Sequence, residues 1–193
     1  MGFYDTAQKD ITKWEGSISH MYVDTNGYVT VGIGFMMPNA AATKGYNFVK
    51  RSDGKKASDK EKEEEWKKVK KLTKGKKASA YKADTTLDLP DSDIKKLLLE
   101  KIKSFESGIK GIYSDYDKYP DELKLALMDI AFNTGVDGLK KFAKMKKAID
   151  EKRWTDAATE SKRSKGRAER NKYVYDLIIE AGKKMPAAAA ATP

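Results

Sequence analysis

The sequence predicts an α+β fold, mostly helical, with one small antiparallel sheet near the start of the chain. Apolar residues recur at helical spacing through most of the second half. A β-branched run flanks an Asn-Gly turn between His20 and Gly34. No period of about 20 to 50 residues repeats, which excludes a solenoid. With 193 residues and 39% hydrophobic content, the chain can bury one full core, whole or divided into two lobes, so a single domain is the starting expectation.

The opening segment spaces Phe3, Ala7, Ile11 and Trp14 three or four apart, one apolar stripe on a short helix ending at Glu15-Gly16. Asp5 and Gln8 form a plausible capping pair. A hairpin follows: Met21-Tyr22-Val23, a polar turn Asp24-Thr25-Asn26-Gly27, then a strand from Tyr28 to Gly34. Residues 36–90 carry Lys-Lys and Glu-Glu-Glu runs around Trp66 with few apolar anchors, among them Phe48, Val49, Val69 and Leu72. They read as a charged insertion with one helix over Ser58 to Thr73, most simply a solvated surface excursion. Pro90-Asp91-Ser92 opens a long helix whose Ile94, Leu98, Ile102, Phe105 and Ile109 keep the helical period. Asp121 to Asn133 is the expected buried helix, and further helices are expected over Leu139 to Asp150, Thr155 to Ser164 and Arg167 to Ala181.

The expected organisation is one domain over 1–186, with an N-terminal lobe of about 12–90, a helical lobe of 1–11 plus 91–186, and an Ala-rich tail over 187–193. That tail reads as a linker or a ragged end. Charged residues make up 35% of the chain, and 39 Lys and Arg against 29 Asp and Glu give a net charge of +10. The excess favours an anionic partner: nucleic acid, anionic lipid or a carboxylate-bearing cell wall. Cysteine is absent, which removes disulfides and thiolate metal sites. No apolar stretch is long enough to cross a bilayer, and Met1 to Asp10 lack the pattern of a signal peptide. His20, the one histidine, fits no metal or triad constellation and is expected at the surface.

Glycoside hydrolysis needs one carboxyl to protonate the leaving oxygen and a second to activate water or attack the sugar. Glu15, closing an apolar helix beside Trp14, is placed for partial desolvation, which favours the proton-donating form. Asp24 opens a polar turn, where it stays ionised. Thr30 lies across the turn, so its hydroxyl is expected near the Asp24 carboxylate with a water between them. Gly32 and Gly34 remove side chains at alternate strand positions, which lets a polymer approach the backbone. Taken alone, Glu15 and Asp24 also serve as ordinary helix-end and turn residues.

The run Trp14-Glu15-Gly16, followed by Tyr22-Val23-Asp24-Thr25-Asn26-Gly27-Tyr28-Val29-Thr30-Val31-Gly32-Ile33-Gly34, resembles the active-site signature of the phage lysozymes, including those of T-even phages. Three later stretches, Ala126 to Gly135, Lys152 to Ala158 and Gly166 to Arg170, are similar to that family's C-terminal helical lobe. The resemblance implies a two-lobed fold with a cleft between lobes. It also implies cleavage of the β-1,4 bond between N-acetylmuramic acid and N-acetylglucosamine in peptidoglycan. By position, Glu15 is the general acid, Asp24 the partner carboxylate and Thr30 the residue that positions water, which favours inversion at the anomeric carbon. Asn26, Gly34, Phe132, Asn133 and Arg167 fall at substrate-binding positions, with Arg167 near the acid. Phe132 equally reads as core and Asn133 as a helix-end cap. Phe35 stands where many relatives carry His, and residues 36–90 are largely unmatched.

On this reading no cofactor or metal is needed, and the chain acts as a monomer on the cell wall or in the periplasm, without membrane insertion. It is delivered by lysis, a holin-type route or a secretion apparatus, and a cognate inhibitor or immunity protein is a conceivable partner. Two rivals stand beside it. A nucleic-acid binder is motivated by the lysines at 67–68, 70–71, 74 and 76–77, but these stand in a segment mixed with Asp and Glu and carry no binding module. A wall-binding module without turnover has no need to keep Glu15, Asp24 and Thr30 together.

Overall fold

The structure, a computed structural model, describes residues 2–164 and 166–185; the expected tail over 187–193 lies outside them. Eight α-helices and five short strands follow in chain order among the described residues. They form two compact units, residues 12–99 and residues 1–11 with 100–193, whose boundaries fall inside the first and third helices. The fold is α+β, mostly helical, with a three-stranded antiparallel sheet near the start.

Helix α1 (Phe3–Glu15) buries Ala7 and Ile11, two members of the expected stripe, and ends at Gly16, whose φ of 76° stops it. Strands β1 (Ile18–Val23) and β2 (Val29–Gly32) pair with Tyr22 opposite Thr30 and Val23 opposite Val29. The second strand stops sooner than expected. Ile33 and Gly34 form a turn, and β3 (Phe35–Met37) folds back so that Val31 pairs with Phe35. The glycines explain the reversal: Gly32 and Gly34 take φ of 64° and 74°, which side chains with a Cβ rarely adopt. A Cβ on Gly32 would also lie 2.7 Å from the Phe35 ring. Gly32 therefore makes room for Phe35, and the expectation that it opens a path for a polymer is corrected.

Residues 36–90 are not a solvated excursion. Helix α2 (Asp59–Lys70) sits inside the expected range, started by a capping box in which Ser58 and Glu61 satisfy each other's backbone. Phe48, Ala57, Val69, Tyr81 and Leu87 are buried, and Trp66 donates from Nε1 to the Met37 carbonyl at 3.0 Å. Strands β4 (Val49–Lys50) and β5 (Leu87–Asp88) form a second small sheet, and Leu89 N–H donates to the Ser19 carbonyl on β1 at 2.7 Å. His20 is buried here too, its Nε2 3.0 Å from the Ala78 carbonyl, so its expected surface position is corrected.

Helix α3 (Asp91–Lys110) opens where Pro90 announces it. In the other unit, α4 (Asp121–Thr134) is buried along most of its length and packs on α8 (Ala168–Lys184). Its one buried carboxylate, Asp129, is held by Arg163 at 2.8 Å and Arg170 at 2.8 Å. The expected helix over Leu139 to Asp150 is two: α5 (Val136–Lys140) and α6 (Ala143–Asp150), broken at Phe142 with ψ 49°. Leu139 and Met145, six positions apart, would stand about 120° apart around an unbroken helix, and both are buried on either side of the break. Helix α7 (Trp154–Glu160) ends earlier than expected. No helix among the described residues is long and apolar enough to cross a membrane.

Candidate active site

Three of the predicted residues, Glu15, Asp24 and Thr30, lie in the 12–99 unit, on the end of α1 and on the β1–β2 hairpin. The turn between the strands is built around Asp24. Its N–H donates to the Tyr28 carbonyl at 2.9 Å, and its own carbonyl accepts from Gly27 N–H at 3.0 Å. Its Oδ1 accepts from Asn26 N–H at 2.9 Å and Tyr28 N–H at 2.8 Å. Gly27, at φ 87°, completes the turn. One carboxylate oxygen is thus fixed by two backbone amides, while Oδ2 has no protein partner among the described residues. Asn26 enters through its backbone; its side chain is exposed.

Thr30 stands opposite Tyr22 and is buried, its hydroxyl donating to the Tyr28 carbonyl at 3.2 Å. Its proton is committed locally, so toward a water it can only accept. Glu15 is exposed at the helix end, which corrects the expectation of partial desolvation beside Trp14. Tyr22 was not singled out from the sequence. It is only partly exposed, and its phenol is raised above the ordinary value by burial first, then by the charges of Asp24 and Glu15. Its place two residues before Asp24 on an alternating strand was the available signal.

Gly34 is exposed, and a Cβ there would meet nothing within 4 Å, so backbone is open to solvent at that position. Phe132, Asn133 and Arg167 belong to the other unit. Phe132 is partly exposed, with its ring 5.4 Å from that of Phe105 and the Lys101 ammonium 4.8 Å from its centroid. Asn133 is exposed in the last turn of α4, and the helix ends on Gly135 at φ 78°. Arg167 is exposed at the start of α8. Among the described residues no group of three or more His, Cys, Asp or Glu could hold a metal ion.

The arrangement defines an α+β protein that presents an exposed carboxyl at a helix end and a second, amide-anchored carboxylate on the adjoining hairpin. The phage lysozyme family model matches residues 12–177. Two proteins of Dictyostelium discoideum are similar along most of their length. "Probable T4-type lysozyme 2" is 31% identical over 157 residues, covering 81% of this chain and 82% of the relative. "Probable T4-type lysozyme 1" is 30% identical over 164 residues, with the same coverage. The chain belongs to the phage lysozyme family. Membership implies glycoside hydrolase chemistry with peptidoglycan as the substrate class.

Proposed function

We propose that the protein is a muramidase that hydrolyses the β-1,4 bond between N-acetylmuramic acid and N-acetylglucosamine with inversion, and that this activity lyses bacterial cells. The observation that carries the reading is the Asp24 carboxylate, fixed through Oδ1 by the Asn26 and Tyr28 amides on the hairpin that directly follows the helix ending at Glu15 in the same unit. In the reaction Glu15 gives its proton to the glycosidic oxygen as the bond to the anomeric carbon breaks. A water accepted by Asp24 Oδ2 and donating to the Thr30 oxygen attacks that carbon from the opposite face, and its proton passes to Asp24. The products are a sugar hemiacetal and the alcohol of the leaving sugar. Glu15 is exposed without substrate, and a bound glycan that covers it excludes water from around the acid.

The Asn26 turn, the open backbone at Gly34, the Phe132 ring, Asn133 and Arg167 are proposed as contacts to the strand. The protein is proposed to act as a monomer at the wall or in the periplasm, reached by lysis, a holin-type route or a secretion apparatus. An inhibitor or immunity protein would hold it in check where the producer shares its substrate. Glu15→Gln tests the acid: reducing-end release from purified peptidoglycan is abolished while circular dichroism stays the same. Near-full clearing by that variant removes Glu15 from the role.

A further inference from the structure

The charge of residues 36–90 is unevenly paired. In the first half most lysines are paired with carboxylates: Lys44 with Glu63, Lys50 with Glu61, Lys60 with Glu64 and Lys62 with Asp59. Between Glu65 and Asp84 stand eight lysines and no carboxylate. Lys67, Lys71, Lys74, Lys76 and Lys77 are exposed and have no acidic partner among the described residues. A cluster of like charges raises its own electrostatic energy, and an anion brought to it relieves that cost.

The cluster is pinned to the hairpin that carries Asp24. Lys70 Nζ donates to the Gly27 carbonyl at 2.6 Å and lies 5.8 Å from the centroid of the Tyr28 ring. The Lys74 stem comes 3.7 Å from where a Cβ on Gly27 would be. The buried Tyr81 donates to the Thr73 carbonyl at 2.6 Å, and His20 holds the Ala78 carbonyl at 3.0 Å. Lys67 lies three residues before Lys70 on the same side of α2, and Lys71 and Lys74 follow directly where the helix ends. Tyr28, 47% exposed, offers an aromatic face beside them.

We propose that this lysine ridge is an anion subsite that takes the carboxylates of the peptide stems on the glycan strand being cleaved. The proposal rests on the muramidase reading. In peptidoglycan the sugars of the backbone are neutral once the muramic carboxyl is joined to peptide, and the ionised carboxylates lie on the stems. A strand whose sugars reach Asp24 brings those stems alongside the turn that Lys70 holds. The ridge distinguishes stemmed from bare glycan through long-range attraction, which acts on binding more than on the chemical step.

The test is a variant in which Lys67, Lys71, Lys74, Lys76 and Lys77 are all changed to Gln, with Lys70 kept. It is compared with wild type on purified peptidoglycan and on glycan strands stripped of stems by an amidase, the lactyl carboxyls that the amidase frees being capped as methylamides. On stemmed substrate at low salt KM rises about tenfold or more, while kcat stays within about twofold. On stripped strands neither changes, the same five positions as Arg restore KM, and salt near about 1 M erases the difference. An unchanged KM on stemmed substrate, or equal losses on both substrates, overturns the proposal. So does retention of duplex DNA that the variant loses while its KM stays at the wild-type value, which assigns the ridge to nucleic acid. Co-sedimentation with stemmed and stripped wall reads the ridge without turnover. If wild type cleaves neither substrate yet sediments with stemmed wall through the five lysines, the muramidase reading fails and the ridge stands.

Discussion

Residues 14–34 and residues 36–90 share one compact unit, yet they differ in how their structure is specified. In the first, the turn that carries Asp24 is built by neighbours in sequence: Asp24 bonds to Asn26 and Tyr28, and Thr30 to Tyr28, none more than four residues apart. The second is held by partners far away. Glu65 is buried and accepts from Thr86 N–H at 2.6 Å, the Thr86 hydroxyl at 2.8 Å and Leu87 N–H at 3.2 Å. Lys62 is buried and donates to the Tyr46 carbonyl at 3.2 Å. Local turn chemistry can be read along the chain, whereas a carboxylate that caps a strand twenty residues on cannot be told from its exposed neighbour Glu64.

The largest effect that sharpens this contrast falls in the first segment. Glu15→Gln and Asp24→Asn are each expected to lower turnover by about a thousandfold, within the range for general acid–base groups, with the melting temperature nearly unchanged. Reducing-end assays beside thermal melts check both. Phe48→Ala, in the second segment, is expected to cost about 3–5 kcal/mol in urea unfolding, because a buried ring is lost to a cavity. A cost of only a few tenths of a kcal/mol would return residues 36–90 to the solvated excursion that their composition suggests. Glu65→Ala is expected to cost about 2 kcal/mol and Glu64→Ala less than about 0.5, since only the former leaves backbone donors unpaired. Equal costs would break the distinction drawn between two adjacent glutamates.

The smallest effect is on pH dependence. Arg51 bonds Asp88 through Nε at 2.8 Å and holds its carboxyl below the ordinary range; burial opposes this, and the Ser19 hydroxyl adds to it. A depressed carboxyl contributes stability that is present above the unfolded value near about pH 4 and is lost as pH falls through the lowered folded value. Arg51→Met therefore flattens the acid limb of the stability curve below about pH 4 and leaves its slope near neutrality unchanged, as acid titration followed by circular dichroism would show.

Where periodicity and turn residues act alone, the sequence was legible. The helix start at Ser58, the Asn26-Gly27 turn and the opening of α3 at Asp91 all follow from near neighbours. The third strand was hidden because Gly32 and Gly34 read equally as strand glycines or as a reversal, and the Phe35 ring over Gly32 decides between them. The break at Phe142 was hidden because Leu139, Phe142, Met145 and Ile149 recur three or four residues apart straight through it. Of the candidate site, residue type and spacing left Glu15, Asp24 and Thr30 open to ordinary structural readings, and the resemblance of the 14–34 run to the phage lysozyme signature singled them out. The role of Tyr22 between two charges and the grip of Lys70 on Gly27 needed three dimensions.

The central claim, that Glu15 and Asp24 hydrolyse a muramic acid linkage, is tested most directly by mass spectrometry of the soluble fragments released from purified peptidoglycan, with isotopically labelled water as solvent. The account predicts fragments ending in a reducing N-acetylmuramic acid that carries one solvent oxygen, released by wild type and absent with Glu15→Gln. Fragments ending in reducing N-acetylglucosamine, in 1,6-anhydromuramic acid or in free peptide stems would contradict it.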